Sequence, residues 1–430
     1  MEKEKKLYPL RFEPLRAERP WGQETWHVAD LGAVETAVHG GWLDGDTLGD
    51  IMETYMDRVV GDNVYYWYGR QFPVAVRTLH VSGKTPLWVC PGDEVAGARF
   101  DSLGKAKLWY VTQAAPDAKL WLGLERGLTA KDFYARCMDG GIAEDLHAVV
   151  PKEGDSFFIA PGMVHAASHV GLIEISESSA LDISVFDWGE PMDPENLGVV
   201  DAIDFVDLHA HDWTEPEEDG CCPECGHAHA AGECCCHGEG HHDHGGECHC
   251  HGEGHHDHSE ECCCHGEGHH DHSEECCCHD HHRHEEIAPE DRLTDPLINI
   301  DLFTVTRIRL TDALHVYTDQ FESFLLYTCA EGAAQIRIGA LEAATVCTLA
   351  KGESLLVPAE TPDFFLVPAD PLTVLLETTV RHSDTPDSYI DPDAEPYLEG
   401  EDYGTDEDLD DRIDYELSLR RQRLSDESHD

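Results

Sequence analysis

Residues 214–286 most limit how this chain can fold, because they consist mainly of Cys, His, Gly, Asp and Glu. With no apolar side chains able to form a core, such a stretch cannot offset the entropy lost on ordering. Any order it gains must come from bound metal. His-Gly-Glu-Gly-His-His-Asp-His occurs three times, starting at His237, His251 and His265, a period of 14 residues. Each copy follows Cys-x-Cys or Cys-Cys-Cys, and a truncated fourth unit runs from Cys276 to His284.

Between Cys221 and His284 there are 14 Cys and 19 His. Thiolate and imidazole are the ligands that zinc, copper(I) and nickel prefer, and mixed Cys/His sets favour zinc. Cys222 and Cys225 with His227 and His229 have the spacing of one tetrahedral site. Further ligands are Cys234, Cys236 and His237; Cys248, Cys250 and His251; Cys262, Cys264 and His265; and Cys276, Cys278 and His279. The repeats are too dense to fix one register, so several ions bind, with nickel and copper open beside zinc. The segment reads as a passive metal sponge, a metal store or a metal sensor.

The foldable sequence therefore lies on either side, at 1–213 and 287–381, before an acidic tail at 382–430. That tail carries 18 Asp or Glu among 49 residues and reads as disordered. The whole chain holds 87 acids against 29 bases, a formal charge of −58. Such a surface repels nucleic acid and anionic lipid, which excludes both as partners, whereas metal ions and small phosphorylated molecules stay open. The first residues lack the apolar run of a signal peptide, and no window of 18 apolar residues exists, so a cytoplasmic setting is expected. There the 18 cysteines favour metal thiolates over disulfides. Cys137, Cys329 and Cys347 sit in apolar or helical contexts and read as packed thiols, and His209 and His211 as solvated linker residues.

Both flanks are rich in short apolar runs broken by Gly, Pro and Asp, the pattern of a β-sandwich or barrel. Helical spacing is confined to Thr47–Val60 and to Thr129–Met138, the latter opened by a Thr cap. The flanks also echo each other. Lys152-Glu-Gly-Asp-Ser-Phe-Phe-Ile-Ala-Pro161 matches Lys351-Gly-Glu-Ser-Leu-Leu-Val-Pro358. Each is a glycine turn with an acid, a short apolar strand and a proline bend. With Gly154 on Gly352, His165 falls on Asp363, so the flanks read as two copies of one jelly-roll unit.

Several stretches, in order, resemble the class I mannose-6-phosphate isomerases of the short bacterial type. They are Leu7 to Leu15 with Trp21-Gly22, Gly45 to Met52, Phe72-Pro-Val-Ala-Val76, Gly104 to Tyr110, Gly154 to His165, Asp201 to Phe205, and Asp301 to Arg307. The resemblance implies a mainly β fold of two cupin-like jelly-roll β-sandwich domains with a small helical portion. It further implies a zinc-dependent aldose–ketose isomerisation of mannose 6-phosphate to fructose 6-phosphate, in which metal polarises the sugar oxygens while a proton moves between carbons.

Carried over position by position, the site mostly fails. The family's Gln-Val-His-Pro is Trp88-Val89-Cys90-Pro91 here. Its ligand Glu corresponds to Lys107, its reactive arginine to Ser184, and only the last ligand histidine survives, as His165. Catalysis is accordingly expected to be impaired or absent, which makes a pseudoenzyme the leading expectation. The alternatives are a non-catalytic sugar-phosphate or metal sensor and a metal-storage protein. Lys105 is a candidate phosphate contact. Two rearrangements are open: Cys90, His165 and His169 rebuild a metal site with a water, or the Lys107 ammonium stands where the metal would be and binds sugar oxygens without catalysis.

Overall fold

Strand β8 (His165–Glu177) organises the N-terminal half, because it is hydrogen-bonded along both edges. The computed structural model describes residues 5–189, 198–210, 293–318, 321–339 and 344–380. The Cys/His repeat and the acidic tail lie outside them.

Two strands, β1 (Leu15–Arg19) and β2 (Gly22–Val28), form a hairpin at the N-terminus. A helical portion follows: α1 (Leu48–Tyr55), α2 (Asp57–Val60) and α3 (Asp62–Tyr68). Thr47 opens α1 through a capping box, its hydroxyl accepting from Asp50 N–H while the Asp50 carboxylate accepts from Thr47 N–H. The helical spacing expected over Thr47–Val60 is interrupted at Met56, whose φ of +43° ends the first helix.

Next come β3 (Val74–Lys84), β4 (Leu87–Val89), α4 (Asp93–Phe100) and the long β5 (Lys107–Leu124). Helix α5 (Ala130–Asp139) has the expected Thr129 cap. It precedes β6 (Leu146–Val149), β7 (Ser156–Ile159), β8, β9 (Ile183–Phe186) and the short α6 (Val199–Ala202). One edge of β8 pairs with β3 and β4, the other with β5, giving a nine-stranded antiparallel sheet.

Alternation divides the sheet's faces. Val74, Val76, Leu108, Tyr110, Ile173 and Ile175 face one core. Leu79, Val81, Trp109, Val111, Val170 and Leu172 face another, with Trp21 and Trp88.

The C-terminal half is a sandwich of two sheets. One has the order β10 (Thr294–Asn299), β11 (Thr304–Leu310), β18 (Thr373–Thr379), β13 (Leu325–Glu331) and β16 (Ser354–Val357). The other runs β12 (Leu314–Val316), β17 (Phe364–Pro368), β14 (Ala333–Ile338) and β15 (Thr345–Ala350). Tyr327, Leu355 and Leu375 of the first meet Ile336, Leu349 and Phe364 of the second. The chain is thus mainly β, with antiparallel sheets and few helices, as the sequence predicts.

The echoed turns are built alike. Gly154 and Gly352 take φ of +89° and +82°, a region open to glycine. Gly154 N–H donates to Val111 C=O and Val111 N–H to Asp155 C=O. Gly352 repeats this with Cys329, and Cys329 with Glu353. The strands that follow, β7 and β16, then pair with β5 and β13.

The described parts on either side of the repeat belong to one compact unit. Leu10 and Leu356 exchange backbone hydrogen bonds of 2.7 and 2.9 Å, and Phe72 and Phe324 pack with ring centroids 4.7 Å apart. Leu10, Phe72, Phe303, Phe324 and Leu356 share a single buried cluster with the outer face of β3, β5 and β8. Phe324→Ala should therefore cost about 3–5 kcal/mol. Because all nine tryptophans precede residue 214, their fluorescence reports only the N-terminal half, whereas circular dichroism reports both. The two denaturation curves should coincide in wild type and variant; separated curves would show that the halves unfold independently.

Candidate functional site

The strands around β8 bring five positions together that lie far apart in sequence. Trp88 of β4 pairs across the sheet with His165 at the start of β8 and with Ser184 of β9. Cys90 follows β4 directly, and Lys107 begins β5. All but Ser184 are buried, Lys107 and His165 completely so.

Lys107 Nζ lies 3.1 Å from His165 Nε2 and 2.6 Å from Asp182 Oδ1. Cys90 Sγ donates to the same Asp182 oxygen at 3.3 Å. His165 Nδ1 is 2.9 Å from the Met163 carbonyl, which can only accept, so Nδ1 carries the proton and Nε2 offers its lone pair to the lysine. The indole of Trp109 stands edge-on to the His165 ring, centroids 5.3 Å apart.

Around this centre runs an ionic ladder on one rung of the sheet. Trp26, Arg77, Glu174 and Trp109 are successive cross-strand neighbours on β2, β3, β8 and β5. The Arg77 guanidinium lies 4.8 Å over the Trp26 ring and 2.8 Å from Glu174, and Trp109 Nε1 donates to Glu174 at 2.8 Å. Arg77 also reaches Asp182 at 2.7 Å and Glu24 at 3.3 Å. Lys105 Nζ is 2.9 Å from Asp182 and 3.7 Å from Glu174. Three buried cations, Arg77, Lys105 and Lys107, thus face three carboxylates, Glu24, Glu174 and Asp182, a closed set apart from the half-exposed Arg19, which also pairs with Glu24.

Titration follows from that closure. Burial would raise both carboxylates, yet Arg77 and the two lysines hold Asp182 well below its usual range and bring Glu174 to about 2. Burial, then the neighbouring Lys107 charge, pushes His165 down to about 3. Burial would lower Lys107, but Asp182 with Cys90 and Glu174 raises it instead. Lys105 is the cation held least firmly, lowered by burial and by the proximity of Arg77 and Lys107. Cys90 is pushed up to about 12 by burial and stays a thiol.

Cys90, His165 and Asp182 each offer a ligand atom, all within 4.8 Å of one another. The residues present nevertheless do not fit the metal that the family resemblance implies. The His165 lone pair and the Asp182 oxygen already bond an ammonium, the thiol holds its proton, and a divalent ion would add two positive charges to a balanced, water-poor cluster. Trp88 supplies no acceptor and packs edge-on against Trp21, centroids 5.9 Å apart.

His169, four residues along β8, does not join the pocket; it is partly exposed, 3.0 Å from Ser168 Oγ and 3.4 Å from Asp117. Lys105, read as a phosphate contact, is wholly buried against carboxylates. Ser184 offers no charge where the resemblance places an arginine. The ligands read in the repeat, from Cys222 to His279, lie outside the described residues, as does His211; His209 is exposed and bonds Asp207. Cys137 and Cys329 are buried thiols and Cys347 is half-buried. Sequence reasoning did not single out Arg77, Glu174, Asp182 or Glu24.

Lys107→Met removes one partner of a buried pair and leaves the carboxylates overcharged. It should cost about 3–5 kcal/mol, read from urea midpoints.

Stability should also pass through a maximum with pH. His165, lowered from 6.5 to about 3, contributes above 6.5 and loses that contribution as pH falls toward 3; Glu174, lowered from 4.5 to about 2, adds to the loss below 4.5. Glu177 acts oppositely. It is buried, with one oxygen accepting from Ala106 N–H and the other unpartnered among the described residues, and burial then Asp93 raises it from 4.5 to about 8. Its contribution is complete below 4.5 and disappears as pH rises through 8. Between pH 4.5 and 6.5 the His165 and Glu177 slopes oppose each other, so the decline shows between 6.5 and 8; Glu177→Gln should abolish it and leave the fall below pH 4.5 unchanged, and an unaltered alkaline side would refute the assignment.

No family model matches the chain. It is 28% identical over 200 residues to the probable mannose-6-phosphate isomerase GmuF of Bacillus subtilis, covering 42% of this chain and 62% of that protein. It is 25% identical over 201 residues to the mannose-6-phosphate isomerase ManA of the same organism, covering 42% and 61%. The chain thus spans about three fifths of the length of the curated relatives it matches. In fold it resembles the mannose 6-phosphate isomerase structure from Bacillus subtilis, with a TM-score of 0.57 at 18% identity, covering 87% of this chain and all of that one. A mutant phosphomannose isomerase from Salmonella typhimurium gives 0.56 at 10% identity with the same coverage. Among the described residues no helix is long and apolar enough to cross a membrane. The motifs read from the sequence, the antiparallel β architecture and these relatives agree: this chain is a relative of the mannose-6-phosphate isomerases.

Proposed function

We propose that this chain is a mannose-6-phosphate isomerase relative that has given up the isomerase reaction and handles metal through its Cys/His repeat. One observation carries the first part. The Lys107 ammonium bonds both His165 Nε2 and Asp182 Oδ1, at the centre of the atoms that would hold a metal. A sugar phosphate approaching that centre would meet buried cations and carboxylates already paired with one another, walled by Trp88, Trp109 and Trp21. It would find no cation free to stabilise an oxyanion, since Arg77, Lys105 and Lys107 are all bound to carboxylates.

The second part is supported by composition. Fourteen thiols and nineteen imidazoles in the repeat are the ligand types that zinc favours. The β structure then serves as the folded body that carries this insertion, in a chain expected to be cytoplasmic.

Purified full-length protein, loaded with zinc, should convert mannose 6-phosphate to fructose 6-phosphate no faster than a His165→Ala control, while holding several zinc ions per chain. Turnover well above that control would sink the first part, and a zinc content of one ion or fewer the second.

A further inference from the structure

We infer that the Lys107 ammonium has taken the place of a divalent cation, so that Cys90, His165 and Asp182 form a metal site kept closed by the chain's own lysine. This deepens the proposed function and rests on it for the loss of turnover.

Three features of the geometry carry the inference. The first is orientation. His165 is fixed through Nδ1 by the Met163 carbonyl, which leaves Nε2 turned to the centre, and a ligating histidine is commonly held in this way through its other nitrogen. Asp182 is gripped through Oδ2 by Arg77 and Lys105, which leaves Oδ1 free to face the same point. Cys90 is held by its backbone carbonyl, which accepts from Gly162 N–H at 2.7 Å. All three donors are thus positioned by contacts made on atoms other than the ones that would ligate.

The second feature is occupancy of the centre. Lys107 Nζ lies within hydrogen-bond distance of two of the three donors, and Cys90 donates to the oxygen that it shares with the lysine. The three donor atoms already stand within 4.8 Å of one another beside the ammonium.

The third is charge. Arg77, Lys105 and Lys107 balance Glu24, Glu174 and Asp182. Replacing Lys107 with a carboxylate changes the cluster by two negative units, the amount a divalent ion restores. It also supplies a fourth donor, and Cys, His, Asp and Glu together are a tetrahedral set suited to zinc. Asp182 is the new element here, a ligand from the residue just before β9 that no reading of the ligand strands would include.

The test uses zinc-loaded crystals of the full-length wild type and of Lys107→Glu, with anomalous diffraction at the zinc edge and a zinc count per chain. The wild type should show no peak among Cys90, His165 and Asp182. K107E should show one there and hold one more zinc per chain than the wild type, and adding His165→Ala should remove both. K107E that folds only with zinc present would agree with the inference. A zinc peak in the wild-type pocket would overturn it, as would folded K107E holding no more zinc than the wild type. Should K107E fail to fold under any condition, the wild-type map decides alone. Zinc in the wild-type pocket without turnover would overturn this inference and leave the proposed function standing; turnover with that pocket free of zinc would do the reverse.

Discussion

The N-terminal half of this molecule depends on an internal balance of charge. Three cations and three carboxylates occupy one end of a curled sheet, with little water to screen them. Each one alone would cost several kcal/mol to bury, and only their mutual contacts make the arrangement tolerable. That balance dictates the state of everything nearby. His165 stays neutral, Cys90 keeps its proton, and Asp182 and Glu174 stay ionised far into acid. A site of this kind is organised for cohesion, with its reactive groups already committed to one another.

The scaffold around it is conservative in a different sense. The strand pairing that brings Trp88, Cys90, Lys107 and His165 together is the pairing a metal-binding pocket would need, and the two glycine turns are built bond for bond alike. The side chains that this pairing turns inward include an ammonium, that of Lys107, bonded to His165 and Asp182. A β framework positions such residues through its ladder, so substitution can replace a metal's role with an ammonium's while strand order and core survive.

How much of this could be read in advance depends on the range of the signal. The Thr47 capping box, the Thr129 cap and the paired glycine turns are local, and each appears in the sequence within a few residues of where it acts. The misfit of Lys107 and Cys90 was legible too, since a motif places them at ligand positions. Arg77, Glu174 and Glu24 were not. In sequence, Glu174 alternates with Ile173 and Ile175, the pattern of a strand with one wet face. Because β8 is paired on both edges in a curled sheet, that face turns inward and the glutamate is buried. Alternation cannot tell a wet face from a buried one, and a partner such as Arg77 lies 97 positions away. Asp182 was visible only as part of a stretch in which an expected arginine was missing. The Cys/His repeat was legible in composition alone, which speaks to ligand type and leaves register open.

Heat brings out a consequence of the buried ionic ladder. Hydration of charged groups becomes less favourable as temperature rises, so the cost of keeping Arg77, Lys105, Lys107 and their carboxylates away from water shrinks on warming. Hydrophobic burial per unit area, by contrast, levels off. The charged end of the sheet should therefore hold together best in the range where the apolar cores on either side of it begin to loosen, giving the N-terminal half a brace that tightens as its surroundings soften.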